Sequence, residues 1–330
     1  MNPLVSLVIY DPICGMIRML APANVLVRAD RLDVGGTFFY TVPEFTIGRG
    51  STFVVQRNAT LSAESRKQMR DAGVRLVHDI DDLLWLLPPG HPSQPAMRPL
   101  VTDSMLQAMA EADLVTVSTE PLREELAEIG ITHVRVLPNG LDPHDWDSPP
   151  ARAPRRKLRI GWHGQVIVHQ GDLAFLVSVV RETIDQFEWV FFGGLPDALR
   201  DLGDQITVVP SVHIRLFPIV FARLDLDVVL APLEHNRFNE CKSNLRVLQA
   251  GALGYASIAT DCEAYRGLPV KRVPNESAAW IDALRAFDAD HDATRAAGEK
   301  LREAVHASYM LDRLAPLYLE AWTGERAASE

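Results

Sequence analysis

Three acids close a β-branched run in "VHDIDDLLW" (77–85), placing Asp79, Asp81 and Asp82 at the carboxyl end of a predicted strand. Mutual repulsion makes such a cluster costly, so a function is expected for at least one carboxylate. It would bind hydroxyl groups or act as a general base. The plainer alternative is that one aspartate caps the turn at "DDLLW" and the others are solvated. Asp79 and Asp81 form a DxD pair, a pattern too short to assign a metal by itself.

A second stretch, "RFNECKSNLRVLQAGALG" (237–254), favours an anion. A predicted helix begins near Ser243, a good N-cap type. Its free N–H groups and the positive end of its dipole attract phosphate, and Lys242 adds a point charge. Ala250, Gly251 and Ala252 would let a ligand or another backbone approach closely. An ordinary capped helix packed on its sheet reads equally well. The stretch "RIGWHGQVIVHQGDL" (159–173) follows the same logic. A strand ending at Trp162 leads into a turn, His163-Gly164-Gln165, with His169 further along the loop and Asp172 available to cap the next helix. It carries no GxGxxG or Walker pattern. The segments "LPNGLD" (137–142), with Asn-Gly supplying positive φ, and "VSTEPL" (117–122), with Thr119 as a cap, read as connections.

Positioning these loops requires strands that end beside them. Strands are predicted at 4–10, 52–57, 74–80, 114–118 and 133–139, alternating with helices at 61–72, 103–112 and 121–129. After the proline-rich, basic stretch 147–157 the alternation restarts. Strands fall at 158–164, 187–194, 206–211, 226–233 and 256–260, with helices at 172–186, 196–202, 243–253 and 292–324. This is α/β organisation with parallel sheets covered on both faces. The predicted order is a first doubly wound domain over 1–148, a linker over 149–157, a second domain over 158–308 and a terminal helix over 309–330. Tyr318 and Trp322 are available to anchor that helix. Ligands of such sheets bind beyond the carboxyl ends of the strands, so a cleft between two such domains is the expected site.

The totals narrow the field. The chain has 330 residues, 47% apolar and 23% charged, with a net charge of −10. That balance disfavours a broad nucleic-acid surface. Cys14, Cys241 and Cys262 are few and scattered, as in a reduced chain. The N-terminal apolar run lacks basic residues before it and is interrupted at Asp11-Pro12, so a soluble, cytoplasmic protein is expected.

Together, "VHDIDDLLWLLPPGHP" (77–92), "VRVLPNGLD" (134–142), "IGWHGQVIVHQGDL" (160–173) and "DVVLAPLEHNRFNECKSNLRVLQAGALGYASIATDCEAY" (227–265) resemble nucleotide-sugar glycosyltransferases of the GT-B fold. The likeness is to the group related to glycosyltransferase family 4, in the branch with an "FN..KS" signature. It implies two Rossmann-like domains facing a cleft, with the last helix crossing back to the first domain. The second domain would bind the donor, a UDP- or GDP-sugar. The acceptor would be a polysaccharide, a protein or a modified nucleic-acid base. Some relatives are phage-borne, although the acidic balance weighs against DNA. Retention of anomeric configuration and no required cofactor or metal are implied too.

Carried over by position, Lys242 neutralises the leaving diphosphate. Asn239, Ser243 and Asn244 would offer donors to the same phosphates, Gly164 and Gln165 would approach the diphosphate from the other loop, and His163, His169 and Phe238 are counted among the donor-binding residues. Asp79, Asp81 and Asp82 remain the candidate catalytic acids, to bind acceptor hydroxyls or act as a general base. Gln249 stands where the wider family has a glutamate for the ribose hydroxyls, and Cys241 stands at the upstream glutamate position beside Glu240. An amide still forms hydrogen bonds but without charge assistance. A non-catalytic nucleotide- or glycan-binding module of the same fold is therefore the alternative. An epimerase of this fold ranks last, because no epimerase-like set of His, Asp and Glu is visible.

Overall fold

A computed structural model describes residues 2–40, 51–57, 61–97, 99–147 and 157–324. The linker expected at 149–157 lies outside these residues except for Lys157, and so do 325–330 of the terminal helix. Two compact units emerge. The first comprises Met1–Asp142, Cys241–Ser243 and Met310–Glu330; the second comprises Pro143–Glu240 and Asn244–Tyr309.

The first unit is built on six strands, β1 (Leu4–Ile9), β2 (Asp33–Phe39), β3 (Thr52–Gln56), β4 (Arg75–Ile80), β5 (Leu114–Val117) and β6 (Val134–Val136). Their order is β2-β1-β3-β4-β5-β6, and all neighbours are parallel. Side-chain alternation sends Val5, Leu7, Ile9, Val54 and Val77 to one core, and Val8, Phe53, Val55 and Leu76 to the other. The first core is closed by the helices Ala21–Arg28 and Leu311–Thr323, whose Tyr318 and Trp322 are fully buried. The terminal helix therefore belongs to the first unit. Gly140 lacks a Cβ because Leu311 and Leu314 of that helix press against it. Neither Asn139 nor Gly140 adopts a left-handed backbone, so the expected Asn-Gly turn gives way to this close packing.

The second unit repeats the plan with β7 (Arg159–His163), β8 (Glu188–Phe192), β9 (Ile206–Val209), β10 (Val228–Ala231), β11 (Ala256–Thr260) and β12 (Lys271–Val273). The order is β12-β11-β10-β7-β8-β9, again parallel throughout. Its core joins Ile160, Trp162, Trp189, Phe191 and Trp280. Gly251 is small because Leu301 and Val305 of the helix His291–Ser308 pack against it, so this part of the small-residue stretch serves helix packing.

The differences from expectation are local. Strands β2 and β12 were not anticipated: β2 contains Gly35-Gly36, lies at a sheet edge and is largely exposed, and β12 has three residues. The helix expected over 172–186 divides into Gln170–Leu173 and Leu176–Thr183, and 196–202 becomes a 3-10 segment, Asp197–Gln205. The tail divides at Tyr309-Met310 into two helices. Among the described residues no helix is long and apolar enough to cross a membrane.

Candidate functional site

In the second unit, β7 and β8 end side by side in glycine. Gly164, Gly193 and Gly194 have φ of 142°, 112° and 130°, a region L side chains rarely adopt. The Gly164 N–H donates to Phe192 O at 2.9 Å, and a Cβ on Gly193 would strike the Gly164 carbonyl. Glycine is thus required for two backbones to cross here. Next to the crossing lies the start of the helix Leu245–Ala252. Its N-cap is Asn244, not Ser243, and no side chain caps it. A Cβ on Gly164 would lie 3.1 Å from Arg246 Nη2, which places the guanidinium of the first helical turn at the glycine turn.

Asp172 organises the surrounding loops. It sits inside a short helix and does not cap the following one. Its Oδ1 accepts from Glu234 N at 2.7 Å and Asn239 Nδ2 at 2.9 Å, and its Oδ2 lies 2.7 Å from His169 Nδ1. Burial pushes this carboxyl up, but the His169 hydrogen bond and nearby positive charge outweigh it, and the pKa falls below the ordinary value. One carboxylate thereby ties together the loop after β7, the loop after β10 and the helix Arg237–Glu240.

The predicted donor residues separate into distinct environments. His163 is buried against Phe217 and Phe221, at 5.3 and 4.7 Å between ring centroids. Burial, with Arg246 and His169 adding to it, holds its pKa well below the usual imidazole value, and its Nε2 has no hydrogen-bond partner. Its imidazole therefore belongs to an aromatic wall, not to an open loop. Phe238 and Asn239 are buried too, and Asn239 Nδ2 donates to Asp172 and to Glu234 O. Gln165 is exposed, Asn244 is half-buried, and Gln249 is buried on the helix. Ser243 groups with the first unit, where its Oγ accepts from Asn139 Nδ2 at 2.7 Å. That bond replaces the capping role expected of it.

In the first unit, each of the three acids has a basic partner. Asp79 is fully buried: Arg18 donates to both its oxygens, at 3.1 and 2.7 Å, and Thr116 Oγ1 donates at 2.7 Å. Arg18 also donates to Leu137 O and Asn139 Oδ1. A carboxylate so enclosed anchors the strand end to Arg18 and Thr116. Asp81 is held by Arg57 through Nε at 2.8 Å and Nη2 at 3.2 Å. Burial pushes its pKa up, but Arg57 more than reverses this, bringing it to about 2. Asp82 takes Arg57 Nη2 at 3.0 Å and Lys242 Nζ at 3.3 Å, and is the most exposed of the three. Arg57 has φ of 52°, a strained backbone for a non-glycine residue, and also contacts Asp11 and Cys14 Sγ. Burial holds the Cys14 thiol well above its ordinary pKa, so it is no nucleophile at neutral pH.

Sequence reasoning missed Arg18, Arg57 and Arg246. A usable signal existed for Arg246: a cation in the first turn of a helix opposes the dipole, which favours acids there. Among the described residues no group of three or more His, Cys, Asp or Glu is gathered as a metal ion would need.

Comparison with solved structures gives the fold its class. HepE of Anabaena, in complex with UDP and glucose, matches with a TM-score of 0.70 and 12% identity over 98% of this chain and all of that one. A glycosyltransferase from Rickettsia africae gives 0.68 and 11%, covering 98% of each chain. The catalytic domain of starch synthase IV from Arabidopsis thaliana, bound to ADP and acarbose, gives 0.66 and 11% over 98% of this chain and 99% of that one. The fold is that of the GT-B glycosyltransferases. No protein-family model matches the chain, and no curated protein matches its sequence.

Proposed function

We propose that the protein transfers a sugar from a nucleoside diphosphate donor to a hydroxyl-bearing acceptor. The observation that carries this reading is the glycine crossing at the ends of β7 and β8, beside the uncapped start of the helix Leu245–Ala252. Such a place offers backbone N–H groups, a dipole and close approach to a diphosphate. Solved structures of the same fold hold UDP or ADP, which supports the choice of ligand. Cleavage of the sugar–phosphate bond leaves charge on the diphosphate, and prearranged positive charge lowers that barrier. Lys242 is the first candidate for this role, with Gly164, Gln165 and Asn244 supplying polar contacts. Asp82, the accessible acid, is assigned to the acceptor hydroxyl, with Asp81 fixing Arg57 beside it.

We take the donor to be a UDP- or GDP-sugar and the reaction to be retaining and independent of metal. The acceptor belongs to the polysaccharide, protein or modified-base classes, with a glycan favoured. A binding module without turnover is the second reading, favoured by Gln249, which offers an amide where a carboxylate would grip ribose. A donor panel decides between them. Release of free UDP or GDP from the matching sugar donor, lost in Lys242→Ala, is expected of the enzyme. Binding of UDP without release from any donor marks the module. No thermal shift with UDP, GDP or ADP at roughly millimolar concentration, far weaker than ordinary enzyme–substrate affinities, sinks the enzyme and the nucleotide-binding module alike.

A further inference from the structure

Arg246 occupies a position its charge opposes, at the positive end of a helix, with no carboxylate ion-paired to it among the described residues. Its guanidinium lies over the Trp162 ring, 5.3 Å from the centroid, and Nη1 is 3.5 Å from Pro232 O. Its Nη2 lies 3.3 Å from His169 Nε2. A guanidinium can only donate, so His169 Nε2 must be the acceptor. The ring then carries its proton on Nδ1, where Asp172 Oδ2 accepts it at 2.7 Å. Asp172 is fixed in turn by the Glu234 and Asn239 donors on its other oxygen.

We propose that Arg246 is a second cation, besides Lys242, that meets the donor diphosphate, and that His169 and Asp172 are its positioning residues. The carboxylate sets the imidazole tautomer and the imidazole aims the guanidinium at the Gly164 turn. This rests on the nucleoside diphosphate reading above. Among the described residues the guanidinium is held by a carbonyl, an imidazole and an indole face, with no ion pair to a carboxylate, which leaves its charge available to an anion at the glycine crossing. The loop that follows Gly164, residues 165–170, contains neither lysine nor arginine, so the charge has to come from the helix.

The arrangement makes a particular demand on Asp172→Asn. Two N–H groups already point at the Oδ1 position, so the new amide keeps its oxygen there and turns its NH₂ toward His169 Nδ1. The imidazole proton must then move to Nε2, where it confronts Arg246. Imidazole ¹⁵N shifts read this without any ligand: the native protein should show the proton on Nδ1, and the variant on Nε2. A native ring protonated on Nε2 alone overturns the relay. Calorimetry with UDP and with pyrophosphate supplies the second arm. Arg246→Met, which keeps packing over Trp162, should weaken both by roughly tenfold or more, the usual scale for a lost charge-assisted hydrogen bond. His169→Ala should weaken them in the native background and add nothing to Arg246→Met. Native affinity in Arg246→Met, or costs that simply add, refutes the positioning role. Absence of any UDP binding to the native protein removes the functional reading and Arg246's part in it, while the tautomer measurement still decides the relay.

Discussion

The loops at the carboxyl ends of the two sheets handle charge in opposite ways. In the first unit Asp79 answers Arg18, and Arg57 is shared among Asp11, Asp81 and Asp82, with Lys242 completing the set. In the second unit Asp172 answers its own loops, and Arg246 has an aromatic face, an imidazole and a carbonyl for company but, among the described residues, no ion pair. His163 Nε2 is left there without a partner. Directly ion-paired charge is the mark of a region holding itself together; a cation beside backbone N–H groups with no direct carboxylate partner favours an anion there. This contrast is the electrostatic ground on which the diphosphate is proposed to meet the second sheet.

The largest effect should come from breaking compensation where it is most buried. Asp79→Ala leaves Arg18, 1% exposed, with a charge and no counter-ion. Removing one partner of such a pair typically costs about 3–5 kcal/mol. Urea unfolding followed in the first unit should show a loss of that order, and Asp79→Asn, which keeps hydrogen bonds to Arg18, should lose less. A cost under about 1 kcal/mol for Asp79→Ala, the level of an exposed pair, contradicts the anchoring role and reopens a chemical one.

Acid supplies a graded version of the same break. Asp81 titrates at about 2 in the folded protein, against an ordinary 3.8. Because the folded value is depressed, the stabilisation is complete above the ordinary value and fades as pH falls from there to about 2. The shift corresponds to about 2 kcal/mol by linkage. His78 and His163, both buried and with lowered pKa, act earlier: unfolding lets them take a proton, so stability also declines below pH 6.5. The aspartate contribution is isolated by comparing the native protein with Asp81→Asn in urea from pH 7 downward. Their gap should stay constant to about pH 4 and then narrow. A gap that narrows already at pH 6 would contradict the depressed titration of Asp81.

What the sequence revealed follows the range of the interactions involved. The central strands β3, β4, β10 and β11 were legible because strands buried on both faces are nearly continuous runs of apolar and β-branched residues. The edge strand β2 was hidden by its glycines and its exposure, since neither periodicity nor burial marks it. The acids were visible as acids. Their partners were not, because Arg57 lies 24 residues before Asp81 and Arg18 lies 61 before Asp79, and only the sheet brings them together. Ser243 was misread by one residue as the cap: Asn244 occupies that position, while Asn139 claims the serine hydroxyl from 104 residues away. Glycine needs at 164 and 193 were half visible, because the crossing depends on both strands ending together.

The smallest expected effect makes the second region resemble the first. Gln249 is 7% exposed on the helix Leu245–Ala252 and stands where the resembled family carries glutamate. Gln249→Glu buries a carboxylate, which is costly when no ligand hydroxyl meets it. The ligand-free melting temperature should therefore drop by about 2–4 °C, the scale of 1 kcal/mol in a chain of this size. Ribose hydroxyls would meet the carboxylate with charge-assisted hydrogen bonds, so UDP should bind up to roughly tenfold more tightly. The two effects together are diagnostic: a lower melting temperature alone, rescued fully by UDP, places the side chain at the nucleoside. A drop that UDP does not rescue places it in the core. No change in either would mean that the side chain reaches solvent, and the second reading, a binding module weakened at this position, would be left with Cys241 alone.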